Sequence, residues 1–216
     1  MSSGETSVQH HHAHHFASAD DEFEAAKQGM WIFLVTEVLM FGGLFVAYGM
    51  LKGLYPEMVH EAHRFLAVKM GAINTVVLIT SSLTMALAVS STQKGQRDRA
   101  ILCLAITFFL ACCFLVVKYF EYSAKFHHGL LPGMNFTNDE LKDPKSPLYF
   151  SLYFMMTGLH GFHVLIGMGV IGWIFKRTLR GEFGPNYYTP VELVGFYWHF
   201  VDLVWIYLFP LLYLVG

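Results

Sequence analysis

The sequence predicts an all-α protein, an integral membrane bundle of five transmembrane helices. Of its 216 residues, 55% are hydrophobic and only 14% are charged, whereas about a quarter of an ordinary soluble domain is charged. A spanning helix needs about 20 mostly apolar residues, and five runs meet that requirement. They cover approximately residues 28–51, 70–90, 100–122, 148–175 and 191–215.

The first 27 residues differ in composition from the rest of the chain. They are polar, acidic and histidine-rich, with QHHHAHH at 9–15, and they lack the short apolar core of a cleavable signal peptide. We expect residues 1–27 to form a disordered tail and residues 28–216 to form the transmembrane domain. The histidine tract could bind a transition metal, but a solvated tail or a cloning remnant is the simpler interpretation.

Prolines mark several of the predicted helix ends. Pro56 follows the first helix and Pro190 opens the last, where proline is well tolerated because its missing N–H needs no partner. Pro210 lies inside the last run, so it should kink that helix or mark its end.

Charges in the connections predict how the chain crosses the membrane. The short connections 91–99 and 176–190 carry three Lys or Arg residues each and should lie at the same end of the bundle. Short basic loops stay on the cytoplasmic side. We therefore expect a cytoplasmic N-terminus and, after five spans, an external C-terminus.

Composition argues against two kinds of function. The formal net charge is only −2, so nothing attracts the protein to nucleic acid. The three cysteines, Cys103, Cys112 and Cys113, all lie in the third run, without the spacing of a zinc or iron–sulfur site. They are expected to be packing residues.

Glu37 is an acidic residue inside WIFLVTEVLMFGG, the apolar stretch at 31–43. It lies about nine residues into the first predicted helix, or on the order of 13 Å deep. A charge at that depth costs several kcal/mol unless it meets protein, water or a proton. Glu37 could be a hydrogen-bonded packing residue, or it could take part in proton or lipid handling.

The fourth and fifth predicted helices carry further polar residues. GLHGFHVLIG places His160 and His163 three residues apart, on nearly one face. YWHFVDLVW places His199 and Asp202 three apart, so the imidazole could donate to the aspartate and lower the cost of burying both. Trp198, Asp202 and Trp205 share one stripe of the last helix. These residues predict a structural polar network.

The histidines raise the question of a metal. His199 and one histidine of the fourth helix could in principle hold a haem, whereas copper or non-haem iron would need three or more converging ligands. We interpret the histidines as packing residues and expect no metal or other cofactor in this chain. In the second helix, hydroxyl and amide side chains are expected to bridge to neighbouring helices; they are Asn74, Thr75, Ser81, Ser82 and Thr84.

Two charges stand near the end of the third helix, in KYFEY. Lys118 and Glu121 are three residues apart and can form an ion pair. Because the site is near the membrane surface, we expect Lys118 to extend toward the lipid headgroups.

The order of these motifs closely resembles subunit III of haem-copper respiratory oxidases. The matching stretches are WIFLVTEVLMFGGLF (31–45), NTVVLITSSLT (74–84), YFEY (119–122), GLHGFHVLIG (158–167) and YWHFVDLVWIYLF (197–209). They extend over nearly the whole chain from residue 29 onward. This sequence is similar to the five-helix form, without the two additional N-terminal helices of longer members.

The resemblance implies a subunit of a terminal oxidase that reduces oxygen and pumps protons. The haems and copper would belong to subunits I and II, and this subunit would carry none. It also implies a bacterial inner membrane protein that binds phospholipid in a V-shaped cleft, which neighbouring subunits would complete here. Membership of a larger respiratory supercomplex is a further possibility.

The resemblance also implies residue roles. Glu37 corresponds to a buried glutamate on the cleft-forming helix, and the signature faces of the last two helices contain His160, His163, Trp198, His199 and Asp202. Arg177 stands just beyond the fourth predicted helix, where the family places basic residues near lipid phosphates. Charge alone leads us to expect that Lys176, Arg177 or Arg180 holds an anionic lipid headgroup on the cytoplasmic side. Lys118 departs from the family, which more often has a glutamine-like neutral residue there.

Several related functions remain open. Five-helix forms also occur in ubiquinol oxidases and in accessory proteins of nitric oxide reduction, which tend to carry aspartate at the position of Glu37. The glutamate therefore favours a cytochrome c oxidase. More remote alternatives are an independent b-type cytochrome and a small proton-coupled transporter, although the inverted repeats or broken helices common in transporters are not apparent.

Overall fold

The computed structural model describes residues 19–131, 141 and 143–214, and this part of the chain is largely helical. Its α-helices are α1 (Ala19–Leu54), α2 (Pro56–His63), α3 (Val68–Gln93), α4 (Arg97–His127), α5 (Ser146–Leu179) and α6 (Thr189–Phe209), and a π-helical turn (Pro210–Leu214) follows. All except α2 are long and apolar enough to cross a membrane. The predicted all-α bundle of five transmembrane helices is confirmed.

The first helix begins earlier than the sequence suggested. Residues 19–27, which were assigned to the disordered tail, form the first turns of α1. Contacts with the start of α6 hold them: Lys27 Nζ lies 3.4 Å from Glu192 Oε1, and the rings of Phe23 and Tyr188 are 6.3 Å apart. The histidine tract at 9–15 lies outside the described residues.

Helices α3 to α6 enclose the core, and α1 lies at its edge. Large aromatic side chains of α4, α5 and α6 fill the core; Phe114, Tyr153, Trp198 and Trp205 are among those with no measurable exposure. On α1, by contrast, many apolar side chains are open, such as Leu39, which is 70% exposed. In a membrane, such a surface faces acyl chains or other subunits.

The two short connections predicted to share one end of the bundle do so. Arg97, at the start of α4, donates from Nε to the Thr178 carbonyl oxygen at 3.2 Å and also donates to the Leu179 carbonyl. These acceptors are at the C-terminal end of α5, whose last carbonyls lack partners within the helix. Gly95 and Gly181 have φ values of 70° and 76° in the adjoining turns, which favour glycine because a Cβ is strained there.

At the opposite end, α6 changes character at Pro210, as predicted. The helix continues there as a π-helical turn. His63, at the end of α2, donates from Nε2 to the Tyr213 carbonyl oxygen at 2.8 Å. This contact joins the short helix α2, which the sequence analysis missed, to the last turn of the bundle.

Candidate functional site

Glu37 of α1 contacts His163 of α5. The Glu37 Oε2 and His163 Nε2 atoms are 2.9 Å apart, and the two side chains are 14% and 9% exposed. This contact is compatible with both sequence interpretations of Glu37, as a packing residue and as a residue that handles protons. The pair links α1 to a histidine of the predicted network.

The hydrogen bonds of His163 define what this pair can do. His163 Nδ1 lies 2.8 Å from the Leu159 carbonyl oxygen, and because a carbonyl can only accept, Nδ1 carries a proton. Nε2 therefore either accepts a proton from a neutral Glu37 or donates one to its carboxylate. The Glu37–His163 contact is a hydrogen bond in either case.

Packing fixes the position of His163. Its ring meets the edge of Phe41 with the ring centroids 5.3 Å apart. The Tyr197 hydroxyl donates to the His163 carbonyl oxygen at 3.0 Å, which ties α6 to the same turn of α5. The His163 ring thus packs against α1, the helix that also carries Glu37, and the His163 backbone is bonded to α6.

The contact between α3 and α6 is a row of hydrogen bonds. Trp198 Nε1 donates to Ser81 Oγ at 3.0 Å, and Trp205 Nε1 donates to Thr75 Oγ1 at 3.1 Å. Thr84 of α3 also forms a hydrogen bond with Thr107 of α4, and their hydroxyl oxygens are 2.8 Å apart. The predicted bridging role of the second-helix hydroxyls is confirmed.

The predicted pairing of His199 with Asp202 is wrong. His199 Nδ1 lies 2.7 Å from Ser82 Oγ, a partner supplied by the facing helix. Neither carboxylate oxygen of the buried Asp202 has a hydrogen-bond partner among the described residues. The side chain of Asn74 is likewise buried without a partner in this part of the chain. An ordered water is the usual solution for such groups.

His160 lies in the aromatic core. It has no measurable exposure, and neither ring nitrogen has a partner among the described residues. Its ring centroid is 5.2 Å from that of Trp205 and 5.6 Å from that of Phe114. His160 and Trp205 thus belong together, but through ring packing and not through the predicted polar contacts.

Lys118 forms the predicted pair with Glu121, but the expectation that it extends to the headgroups is wrong. Its side chain is only 9% exposed, and its Nζ lies 2.9 Å from Glu121 Oε2. Glu121, which is 1% exposed, also contacts Lys125, with 2.8 Å between Nζ and Oε1. Lys118 turns inward because its ammonium is attracted by two groups inside the bundle, the Glu121 carboxylate and the Trp205 ring, whose centroid is 4.5 Å from Nζ.

Two tyrosines complete this buried group. The Tyr153 hydroxyl donates to Glu121 Oε1 at 2.7 Å, and the Tyr213 hydroxyl donates to the same oxygen at 2.5 Å. The Lys118 ammonium also donates to the Tyr213 hydroxyl at 2.9 Å. We call these five residues, Lys118, Glu121, Lys125, Tyr153 and Tyr213, the lysine–glutamate cluster. The sequence analysis found only the Lys118–Glu121 pair of this cluster; the spacing of Lys125, four residues after Glu121, could also have indicated the second ion pair.

The three basic residues beyond the middle of α5 differ from one another. Arg177 Nε lies 2.5 Å from Glu182 Oε2, and its guanidinium lies over the rings of Trp173 and Phe183. Arg180 is more open and reaches Glu182 only at 3.8 Å. Lys176 is exposed. Lys176 and Arg180 are therefore freer to meet an anion than Arg177.

The described residues contain no group of three or more His, Cys, Asp and Glu side chains that could hold a metal ion. His160, His163 and His199 each point to different surroundings, as their contacts show. What the site offers chemically is a carboxyl–imidazole pair that can pass or store a proton.

The chain matches the family model described as cytochrome c oxidase subunit III over residues 5–216. It is 31% identical over 188 residues to cytochrome c oxidase subunit 3 of Thermostichus vulcanus, an alignment that covers 87% of this chain and 86% of the relative. It is 27% identical to cytochrome bo(3) ubiquinol oxidase subunit 3 of Pseudomonas putida, over 87% of this chain and 84% of the relative.

A third relative has a different length. The chain is 30% identical to the haem-copper oxidase subunit I+III of Aeropyrum pernix over 201 residues, which are 88% of this chain but 22% of the relative. The family model and the similarity along most of the chain agree with the five-helix fold. The chain belongs to the cytochrome c oxidase subunit III family and is a non-catalytic subunit III of a terminal oxidase.

Proposed function

We propose that the chain serves a cytochrome c oxidase by supporting the assembly of the complex and the uptake of protons by subunit I. The complex would reduce oxygen and translocate protons with haems and copper that are held in subunits I and II. The observation that carries the proposal is the 2.9 Å contact between Glu37 and His163. It joins a carboxyl and an imidazole at the edge of the described bundle.

The position of the pair supports a role beyond packing. A proton can move between a hydrogen-bonded carboxyl and imidazole with little rearrangement, because only one hydrogen atom changes position along an existing hydrogen bond. Neighbouring apolar residues on α1 are exposed; Val38 is 56% exposed and Leu39 is 70% exposed. A partner subunit that packs there could receive a proton from Glu37.

Subunits I and II are the proposed partners. One relative is itself named subunit I+III, and for this chain we infer the same association between separate subunits. The exposed apolar surface of α1 is suitable for it, because helices in a membrane associate by packing and not by escape from water. Membership of a larger respiratory supercomplex remains a prediction.

Phospholipids are the second class of proposed partner. We infer that Lys176 and Arg180 contact an anionic headgroup, because both are exposed at the end of a spanning helix. Arg177 would contribute less, because Glu182 already neutralises it. The V-shaped lipid cleft of the family would lie along α1 and be completed by neighbouring subunits.

The proposed location is the inner membrane of a bacterium, with the N-terminus in the cytoplasm and the C-terminus outside. The basic connections at 94–97 and 176–180 lie at one end of the bundle, where Arg97 contacts the end of α5. Under the positive-inside rule, that end is cytoplasmic.

A ubiquinol oxidase is the second candidate, and the Pseudomonas putida relative favours it. An accessory role in nitric oxide reduction is a third possibility from the same family. These functions differ in the electron donor or acceptor of the whole complex and not in the helices of this subunit.

Purification of the complex in mild detergent tests the proposal. We expect this chain to co-purify in constant ratio with two larger subunits that hold haem and copper, and the complex to oxidise reduced cytochrome c in the presence of oxygen. Oxidation of ubiquinol without oxidation of cytochrome c would establish the second candidate. A haem that remains bound to this chain after the other subunits are removed would contradict a non-catalytic role.

A further inference from the structure

Three polar side chains in the core of the bundle lack a hydrogen-bond partner among the described residues. They are Asn74 of α3, His160 of α5 and Asp202 of α6, and this holds for both polar atoms of each side chain within the described ranges. None of the three residues is more than 2% exposed. Ser82 is close to Asp202, but its hydroxyl lies 2.7 Å from His199 Nδ1 and outside hydrogen-bonding geometry with the carboxyl. Because buried polar groups are almost always hydrogen-bonded, these three require a common explanation.

Trp205 is the neighbour that the three groups have in common. Its Nε1 donates to Thr75 Oγ1 at 3.1 Å, and Thr75 follows Asn74 on α3. The centroid of the His160 ring lies 5.2 Å from that of Trp205. Asp202 is three residues before the tryptophan on α6, and residues at this spacing are neighbours on one face of a helix. The unpartnered groups therefore come from three helices that meet around one buried tryptophan.

The surroundings favour the neutral form of the two titratable groups. A buried carboxylate is costly without a charged or hydrogen-bonded partner, and no described residue bonds the Asp202 carboxyl. The Lys118 ammonium lies 4.5 Å from the Trp205 ring centroid, and His160 packs against the same tryptophan. A second cation on the imidazole would be repelled there. We therefore expect Asp202 to carry its proton and His160 to be uncharged.

The neutral forms define which ligand fits. An uncharged imidazole has one N–H donor and one acceptor nitrogen, and a protonated carboxyl or an amide also combines donors with acceptors. A bound cation would leave the donors unsatisfied, and a bound anion would leave the acceptors unsatisfied. Water both donates and accepts, and a buried water typically makes two to four hydrogen bonds to such groups.

We propose that α3, α5 and α6 form an internal water-binding site, in which bound water bridges the protonated carboxyl of Asp202, the imidazole of His160 and the amide of Asn74. The site is in the protein core and not on the lipid-facing surface. It is separate from the Glu37–His163 contact, whose imidazole nitrogens both have partners. It does not depend on the electron donor of the complex.

Electron cryo-microscopy of the intact oxidase complex, at a resolution that shows ordered water, tests the proposal directly. We expect density for at least one water within about 2.7 to 3.2 Å of polar atoms from two or more of the three side chains. Well-defined side chains with no density between them would overturn the proposal. Direct hydrogen bonds among the three side chains, or waters that each contact only one of them, would also overturn it.

A double-mutant cycle of Asp202→Leu and His160→Phe tests whether the two groups share the water. Each single variant should lower the thermal unfolding midpoint of the complex by several degrees, because a bound water loses a partner and the other polar group stays buried. The double variant should lose clearly less than the sum of the single losses, since groups with a common partner are coupled. Additive or larger losses in the double variant would contradict a shared water.

Ser151→Ala is the matched control for the cycle. The Ser151 hydroxyl donates to the Pro147 carbonyl oxygen of the same helix at 2.8 Å, and Ser151 is about 13 Å from His160 along α5. The losses of Ser151→Ala and Asp202→Leu should therefore add. Coupling as large as that between Asp202 and His160 would arise from the complex as a whole and would remove the support of the cycle for a shared water.

Asp202→Asn tests the charge of the site. Asparagine has nearly the size of a protonated aspartate and keeps a donor and an acceptor, but it cannot ionise. We expect Asp202→Asn to retain the water density and most of the unfolding midpoint that Asp202→Leu loses. A loss as large as that of Asp202→Leu would mean that the site holds a carboxylate ion, and the proposed neutral site would be wrong.

Discussion

The Glu37–His163 pair and the lysine–glutamate cluster are two solutions to the same problem, an acid inside a membrane-spanning helix. Glu37 is 14% exposed, lies on the edge helix α1 and has one imidazole partner. Glu121 is 1% exposed and accepts from Lys118, Lys125, Tyr153 and Tyr213. Glu37 thus has a single imidazole partner, whereas Glu121 is surrounded by four donors, two of them cationic, that stabilise a carboxylate. We propose that the number and charge of the partners separate a proton-handling acid from a structural one.

The largest effect is expected from Glu121→Gln. This change leaves two buried ammonium groups without a carboxylate, and breaking a buried ion pair in this way costs about 3 to 5 kcal/mol. We expect the subunit content per haem to fall sharply and the thermal unfolding midpoint of the complex to decrease.

Lys118→Gln is the control for that experiment, since it leaves Glu121 and Lys125 as a pair at 2.8 Å. The thermal unfolding midpoint of the complex with Lys118→Gln should fall much less than that of the complex with Glu121→Gln. If the two variants lose the same amount of subunit, charge balance does not explain the stability of the cluster.

The core and the edge should also differ in their tolerance of added volume. A Cβ on Gly167 of α5 would lie 2.7 Å from the Trp198 ring, whereas a Cβ on Gly43 of α1 meets no atom within 4 Å. Gly167→Ala should therefore destabilise the protein by about 1 to 3 kcal/mol through overpacking. Gly43→Ala should be neutral or stabilise it by up to about 1 kcal/mol, because alanine favours the helix.

Thermal unfolding of the complex that contains each variant checks this difference. An equal loss of stability in both variants would show that another subunit packs on α1 as closely as Trp198 packs on Gly167.

A smaller effect is expected at the α3–α6 contact. Trp198→Phe keeps most of the ring but removes the Nε1–H group. In the parent protein this group donates to Ser81 Oγ at 3.0 Å. The loss of one buried hydrogen bond should cost about 1 kcal/mol. Trp31→Phe on α1 is the matched control, since Trp31 is 61% exposed. The two unfolding midpoints should differ, and identical midpoints would mean that the Ser81 contact contributes nothing.

Hydrophobic pattern alone was sufficient for the five spanning helices, because each must satisfy its own backbone in lipid and must be about as long as the membrane is thick. The short helix α2 was missed, since its eight residues lack an apolar run. The predicted start of α1 was too late. The contacts that hold its first turns, from Lys27 to Glu192 and from Phe23 to Tyr188, join segments that are distant in sequence.

The candidate site was less predictable for the same reason. Local spacing correctly paired Lys118 with Glu121, but it also paired His199 with Asp202, whereas Ser82 on the facing helix bonds His199 instead. Lys118 was expected at the surface because its position is near a helix end; the ring of Trp205 and the hydroxyl of Tyr213 hold it inside. Such long-range partners cannot be identified from spacing within one helix.

The most direct test of the central claim, that Glu37 and His163 exchange protons in support of subunit I, is the proton-pumping stoichiometry of Glu37→Gln in reconstituted vesicles. Glutamine can still donate to His163 Nε2 but cannot titrate, so the complex should assemble normally and keep much of its initial oxygen turnover. We expect lower pumping stoichiometry or faster loss of activity during prolonged turnover. Thr36→Val is the control, because the Thr36 hydroxyl donates to the Phe33 carbonyl of its own helix and, among the described residues, to no other helix. If Glu37→Gln equals the parent in both quantities between about pH 6 and 9, a range that includes physiological pH, Glu37 is a packing residue and the claim is wrong.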